Sequence, residues 1–146
     1  MIKDLLFHHV GIGTIRFDAA IEVYTRIGYD LIETFQDANL DVQVAFLQGT
    51  ASPYIELISP LGPDGPLKSF LSRRILPSPY HTCYKTKNIR MTSEYLRTIG
   101  YTPLGAPRSA LAFGGSLIAY YFHPATGLLE LVENPPEWEI ISQRNI

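Results

Sequence analysis

Tyr24-Thr25-Arg26-Ile27-Gly28-Tyr29 and Tyr95-Leu96-Arg97-Thr98-Ile99-Gly100-Tyr101 are two versions of one phrase. Each is the end of a helix, a glycine that stops it, and a tyrosine that starts the next segment. Glycine suits the stop because it alone enters the left-handed region without a Cβ penalty. Gly28 and Gly100 stand 72 positions apart, so the phrase recurs at the scale of a whole supersecondary module.

The surroundings of the two phrases repeat as well. Before the first, Leu6–Gly13 alternates as a strand does, and Ala19, Ala20, Val23, Tyr24 and Ile27 recur at helical spacing behind Asp18, a capping residue. After it come three strand-like runs, Tyr29–Thr34, Val42–Gln48 and Tyr54–Ser59, parted by Asp37-Ala38-Asn39 and Gly49-Thr50-Ala51-Ser52-Pro53. Around the second phrase, His81–Thr86 reads as a strand and Asn88 caps a helix running to Ile99. Strands follow near Tyr101–Leu104, Leu117–His123 and Leu128–Glu133. The order β-α-β-β-β therefore occurs twice. The expected fold is α+β, with two tandem βαβββ modules forming a cupped mixed sheet and helices on its outer face. Module 1 spans about 6–60 and module 2 about 79–133, within a single domain over 1–146. The proline- and glycine-rich stretch 61–78 reads as a linker with a short helix at Leu67–Arg73, and 134–146 as a tail.

Composition narrows the function classes. Of the 146 residues, 46% are hydrophobic and 18% charged, enough for a packed interior and too apolar for disorder. The net charge of −2 and the lack of a basic stripe argue against a nucleic-acid partner. The single cysteine, Cys83, cannot form an internal disulfide, which fits a reducing compartment. Neither a signal-type segment nor a membrane-length apolar run is present, so a cytoplasmic domain is expected.

Each module carries a histidine in its first strand and a glutamate in its last. His9 and Glu56 are 47 apart, His81 and Glu130 are 49 apart, and the two pairs are offset by 72 and 74. Equivalent positions in two copies of one module, related by a pseudo-twofold axis, can converge on one point. Strand parity agrees: Val10 and Ile12 point towards the helix while His9 points away, and Glu56 and Glu130 lie between helix-facing neighbours. Taken singly, a strand histidine or glutamate is usually a hydrogen-bonded or solvated residue. Four in module-symmetric register form a candidate site for one divalent metal, because a buried carboxylate needs compensation. Two imidazoles and two carboxylates suit Co, Ni, Zn, Mn or Fe(II), with open positions for substrate oxygens. His8, by the same parity, is read as a structural residue on the helix side. Lys85 shares the face of His81 and is a candidate for an anionic substrate group, or simply a solvated strand-end lysine. Tyr54 shares the face of Glu56, and of Tyr120 and Tyr121 one should line the cup and the other meet the helix. Cys83 is read as a packing residue.

At these residues the chain resembles the vicinal oxygen chelate superfamily, which includes glyoxalase I, methylmalonyl-CoA epimerases, extradiol dioxygenases and bleomycin- or fosfomycin-resistance proteins. The resemblance runs from Phe7 to Glu133. It rests on His9-Val-Gly-Ile with Asp18-Ala-Ala-Ile and Tyr24, on Val44-Ala-Phe-Leu with Ile55-Glu-Leu-Ile-Ser-Pro-Leu-Gly62, and on Phe122-His-Pro with Gly127-Leu-Leu-Glu130. Within the superfamily the chain is most similar to the methylmalonyl-CoA epimerases, through the run from Val44 to Leu71. That resemblance implies an enzyme that enolises a carbonyl compound, an epimerase or isomerase of a 2-substituted acyl-CoA-type thioester, with Glu130 as both ligand and base. A glyoxalase I-type lyase and a ligand-sequestering resistance-type protein are the alternatives. The family habit also implies a homodimer. Some epimerases place a second acid/base glutamate in the third strand, where the nearest residue here is Gln43, and a glutamine cannot take up a proton at neutral pH.

Overall fold

The computed structural model describes residues 5–62 and 77–138. The short helix expected at Leu67–Arg73 lies outside the described residues, as does most of the linker. The elements are β1 (Leu6–Gly13), α1 (Phe17–Arg26), β2 (Asp30–Asp37), β3 (Val42–Gln48), β4 (Tyr54–Pro60), β5 (Ser78–Thr86), α2 (Ile89–Thr98), β6 (Thr102–Pro103), β7 (Arg108–Ser109), a 3₁₀ turn at Leu111–Phe113, β8 (Leu117–His123) and β9 (Gly127–Glu133).

The nine described strands form one mixed sheet in the order β2-β3-β4-β1-β5-β9-β8-β6, with β7 paired to β8 off this path. Its two halves mirror each other about the central antiparallel pair β1 and β5, each flanked by a parallel partner, β4 and β9. The first half runs β-α-β-β-β, the second carries one further two-residue strand, β7, beside β8, and both halves share one sheet. α1 covers the first half through Phe17, Ala20 and Tyr24 on Ile12, Ala45, Leu47, Ile55 and Leu57. α2 covers the second through Ile89 and Leu96 on Ala119, Tyr121, Leu129 and Leu131. A third cluster fills the opposite, concave face with Val42, Val44, Phe46, Cys83, Phe113 and Val132. Burial of this apolar surface on both faces, at roughly 25 cal/mol per Å², is the main source of cohesion.

Local chemistry explains the helix limits. Asn88 caps α2, its side chain accepting the Met91 backbone N–H at 3.0 Å. Asp18 does not cap α1: the helix begins one residue earlier, at Phe17, and Asp18 sits in its first turn, where a negative charge favours the dipole. Gly28 and Gly100 end their helices at φ of +104° and +99°, as the repeated phrase predicts. β5 starts earlier than expected because Pro79 is accommodated beside an irregularity in the β1–β5 register.

Candidate metal centre

The central strands bring the four module-symmetric residues together. β1 delivers His9 and β5 delivers His81, from opposite directions across an antiparallel ladder. Glu56 and Glu130 arrive on the parallel strands at either side. His9 Nε2 lies 3.1 Å from Glu56 Oε2, 2.9 Å from His81 Nε2 and 3.3 Å from Glu130 Oε2. His81 Nε2 lies 3.1 Å from Glu56 Oε2 and 2.9 Å from Glu130 Oε2. All four residues are buried, His9 completely.

These separations fit a single coordination shell. With bonds of about 2.1 Å, neighbouring donors stand about 3.0 Å apart around an octahedral ion and about 3.4 Å apart around a tetrahedral one. The donor set leaves buried polar groups poorly satisfied without an ion. Glu130 Oε2 is buried and lacks a well-aligned hydrogen bond among the described residues, although His81 Nε2 stands close by. The two Nε2 atoms also face each other, and two imidazole nitrogens cannot both donate across one contact. The residues present therefore fit a divalent metal, and the four could hold one.

The register shows how the sheet makes room. Across the central pair, His9 stands opposite Cys83 and His81 opposite Gly11. A Cβ at Gly11 would overlap ring atoms of His81, so the imidazole occupies the space a side chain there would need. Across β3–β4 and β8–β9 the two glutamates have aromatic partners, Phe46 opposite Glu56 and Tyr120 opposite Glu130.

This geometry corrects two expectations and decides a third. His8 does not face the helix. The β1–β5 register passes from Phe7 to His9, leaving His8 in a bulge, so consecutive histidines both enter the cup side. His8 is buried among Tyr54, Phe113 and Trp138, with Nδ1 2.8 Å from His9 Nδ1. Gln43 is also misplaced: its neighbours Val42 and Val44 pack in the concave cluster, whereas Gln43 shares the parity of Ala45 and Leu47, which face α1. Of the two tyrosines, Tyr121 packs beneath α2, so only Tyr120 lines the cup, its ring 5.8 Å from that of His81.

Tyr54 stands at the cup wall, 5.1 Å from the His8 ring. Lys85 Nζ approaches Glu137 Oε1 at 3.6 Å, which ties the start of the tail to the rim. That tail carries Trp138 over the concave face, its ring 4.5 Å from Phe46 and 4.9 Å from Tyr54. Phe113, from the 3₁₀ turn, stacks on His9 at 5.9 Å. Trp138 and Phe113 come from segments without periodicity, so no pattern in the chain announces them. Phe46 joins them from β3, on the same side as Val42 and Val44.

Electrostatics follow from burial and mutual contact. Burial opposes charge on His81, but hydrogen bonds and attraction from Glu130 and Glu56 outweigh it and raise its pKa to about 9. His9 is raised by the same two carboxylates against the same burial penalty. Glu56 and Glu130 are lowered, since the two imidazoles overcome the cost of burying a carboxylate. Burial, with His9 beside it, pushes His8 down to about 4. Cys83 is pushed well up by burial and by the adjacent carboxylates, which keeps it a protonated packing group.

A pH dependence follows for the metal-free protein. A raised imidazole pKa stabilises the fold below about 6.5, and that contribution is lost as pH rises through about 9. A metal must displace the proton held by His81, so binding at pH 7 is expected to release at least one proton. Affinity should climb about tenfold per pH unit for each proton released, levelling off above pH 9. Calorimetry in buffers of different ionisation enthalpy checks this, and heats independent of the buffer would contradict it.

The fold agrees with what this chain resembles. The profile of the Glyoxalase/Bleomycin resistance protein/Dioxygenase superfamily matches residues 8–120. The chain belongs to this superfamily. Among curated relatives, an ethylmalonyl-CoA/methylmalonyl-CoA epimerase from Cereibacter sphaeroides is 25% identical over 118 residues, covering 80% of this chain and 87% of that protein. Among solved structures, a methylmalonyl-CoA epimerase from Mycobacterium tuberculosis superposes with a TM-score of 0.78 at 26% identity, covering 93% of both chains. A variant of the methylmalonyl-CoA epimerase from Streptomyces coelicolor, in complex with 2-nitronate-propionyl-CoA, gives a TM-score of 0.76 at 23% identity, covering 90% of this chain and 95% of that one. Superfamily membership agrees with the curled mixed sheet and its two helices. No helix among the described residues is long and apolar enough to cross a membrane.

Proposed function

We propose that the chain is a metal-dependent enzyme that enolises a 2-substituted acyl thioester of the coenzyme A type, with His9, Glu56, His81 and Glu130 holding the metal. The observation that carries this reading is the convergence of the four donors, 2.9–3.3 Å apart at the five contacts described, at the floor of a cup. The names of its relatives, epimerases of acyl-CoA substrates, supply the substrate class.

A divalent ion held by His9, Glu56, His81 and Glu130 would supply Lewis acidity toward a substrate carbonyl, making the hydrogen on the adjacent carbon more acidic. The chain's own residues do the rest. Glu130 accepts that hydrogen as a proton; the C–H electron pair moves into the new carbon–carbon double bond as the carbonyl oxygen takes up the negative charge. Exchange of the proton on Glu130 with solvent before its return labels that carbon, and delivery of a solvent-derived proton to the opposite face inverts it. Phe46, Phe113 and Trp138 exclude water from the floor of the cup, which strengthens the electrostatics there. Tyr54 and Tyr120 line the cup as candidates for contact with substrate, and Lys85 is the candidate for an anionic group on it.

The outward placement of Gln43 favours a second reading. Without a carboxylate from β3, a single base can still take a proton from one carbon and deliver it to its neighbour, as a glyoxalase I-type lyase requires. Incubation of the metal-loaded protein with a 2-methylacyl thioester in D₂O separates the two. Deuterium should enter the 2-position at a rate proportional to bound metal. Absence of exchange, with turnover of a glutathione hemithioacetal, would replace the epimerase by the lyase, and silence on both substrates would sink enolisation altogether.

A further inference from the structure

We infer that His8 is a positioning residue for the metal centre, accepting the Nδ1 hydrogen of His9 and so fixing the tautomer in which His9 can bind a metal. The inference rests on the reading of His9 as a ligand through Nε2.

An imidazole that gives its Nε2 lone pair to a metal carries its remaining hydrogen on Nδ1. His9 is completely buried, so that hydrogen needs an acceptor inside the protein. The contact described for His9 Nδ1 runs to His8 Nδ1 at 2.8 Å. It closes only if His8 presents a lone pair there, which places the hydrogen of His8 on its own Nε2. One ring thus sets the other: His8 as the Nε2–H form obliges His9 to be the Nδ1–H form, with its Nε2 lone pair aimed at Glu56, His81 and Glu130.

The bulge makes the arrangement possible. In a regular strand consecutive side chains point to opposite faces, and two adjacent histidines could not meet through their rings on one side. Skipping His8 in the ladder turns it into the cup. There the rings of Tyr54, Phe113 and Trp138, at 5.1, 5.7 and 5.6 Å, hold its plane. Among the described residues, the second module shows no matching imidazole beside its ligand histidine. His81 Nδ1 is buried with no hydrogen-bond partner among the described residues. The two metal-facing histidines are therefore inequivalent despite the repeat, and only His9 is oriented by a neighbouring imidazole.

Long-range ¹H–¹⁵N correlation spectra of the zinc-loaded, ¹⁵N-histidine-labelled full chain test this without any substitution. The expected pattern is a hydrogen on Nδ1 of His9 and on Nε2 of His8. A hydrogen on Nδ1 of His8 would overturn the inference while leaving the metal site intact. Failure of zinc to bind at all would remove the metal reading and this inference with it. As a second arm, His8→Phe keeps the bulk but removes the acceptor and should weaken zinc binding about 10–100-fold. His8→Asn places an oxygen where Nδ1 stood and should restore most of the affinity. Equal zinc affinity in His8→Phe and the parent protein would also overturn it, and if His8→Phe does not fold, the tautomer spectrum decides.

Discussion

Glu130→Gln is expected to lose bound metal and to slow solvent exchange into a 2-methylacyl thioester by about 10²–10⁴-fold, the span typical of a lost general base. The amide matches the carboxylate in shape, so the fold should persist. It removes the negative charge, however, at a position 2.9 Å from His81 Nε2 and 3.3 Å from His9 Nε2. Glu130 heads the interactions that raise the pKa of His81 against burial, so without it the imidazole should titrate well below about 9. That shift is separate from catalysis and can be followed by NMR in the metal-free variant. Elemental analysis after dialysis, together with the exchange assay, reads the main effect. A variant that keeps one equivalent of metal and exchanges at the parent rate would remove Glu130 from both proposed roles.

Among the described glycines, Gly11→Ala should add the most damaging methyl group. The added Cβ would meet the His81 ring head-on, and the ring is enclosed by β1, β5 and Tyr80, at 4.4 Å. Either the imidazole rotates away from the cluster or the central strand pair separates. Overpacking of this kind costs about 1–3 kcal/mol, and displacement of His81 should reduce metal affinity at least as much as loss of a supporting contact, about 10–100-fold or more. Thermal melts with and without zinc distinguish the two. The metal-free melt should fall modestly, and the stabilisation by zinc should nearly vanish. Unchanged stabilisation by zinc would mean that the ring has room that the register denies it.

The site was partly legible because repeat and parity are properties of the chain. The recurrence around Gly28 and Gly100, with His9, Glu56, His81 and Glu130 at matching offsets, required no knowledge of packing. Parity served well where a strand alternates clearly, as beside Glu56. It failed on β3, whose run from Val42 to Leu47 is apolar or buried on both faces. Gln43 could not be assigned a side there until Val42, Val44 and Phe46 were seen in the concave cluster. Tyr120 and Tyr121 were undecided for a related reason. Their facing depends on the register that sets Tyr120 opposite Glu130 and Tyr121 opposite Leu129.

The sequence by itself determined the doubled module, the helix stops and the four candidate ligands, since these rest on local conformational preference and on a period that survives in any register. Only the tertiary structure decided what surrounds the ligands. A bulge turned His8 inward, a glycine opposite His81 made room for its ring, and two segments without period brought Phe113 and Trp138 over the floor of the cup. Each of these is a contact between residues distant in the chain, or a single-residue break in the ladder, and neither leaves a periodic trace in the order of amino acids.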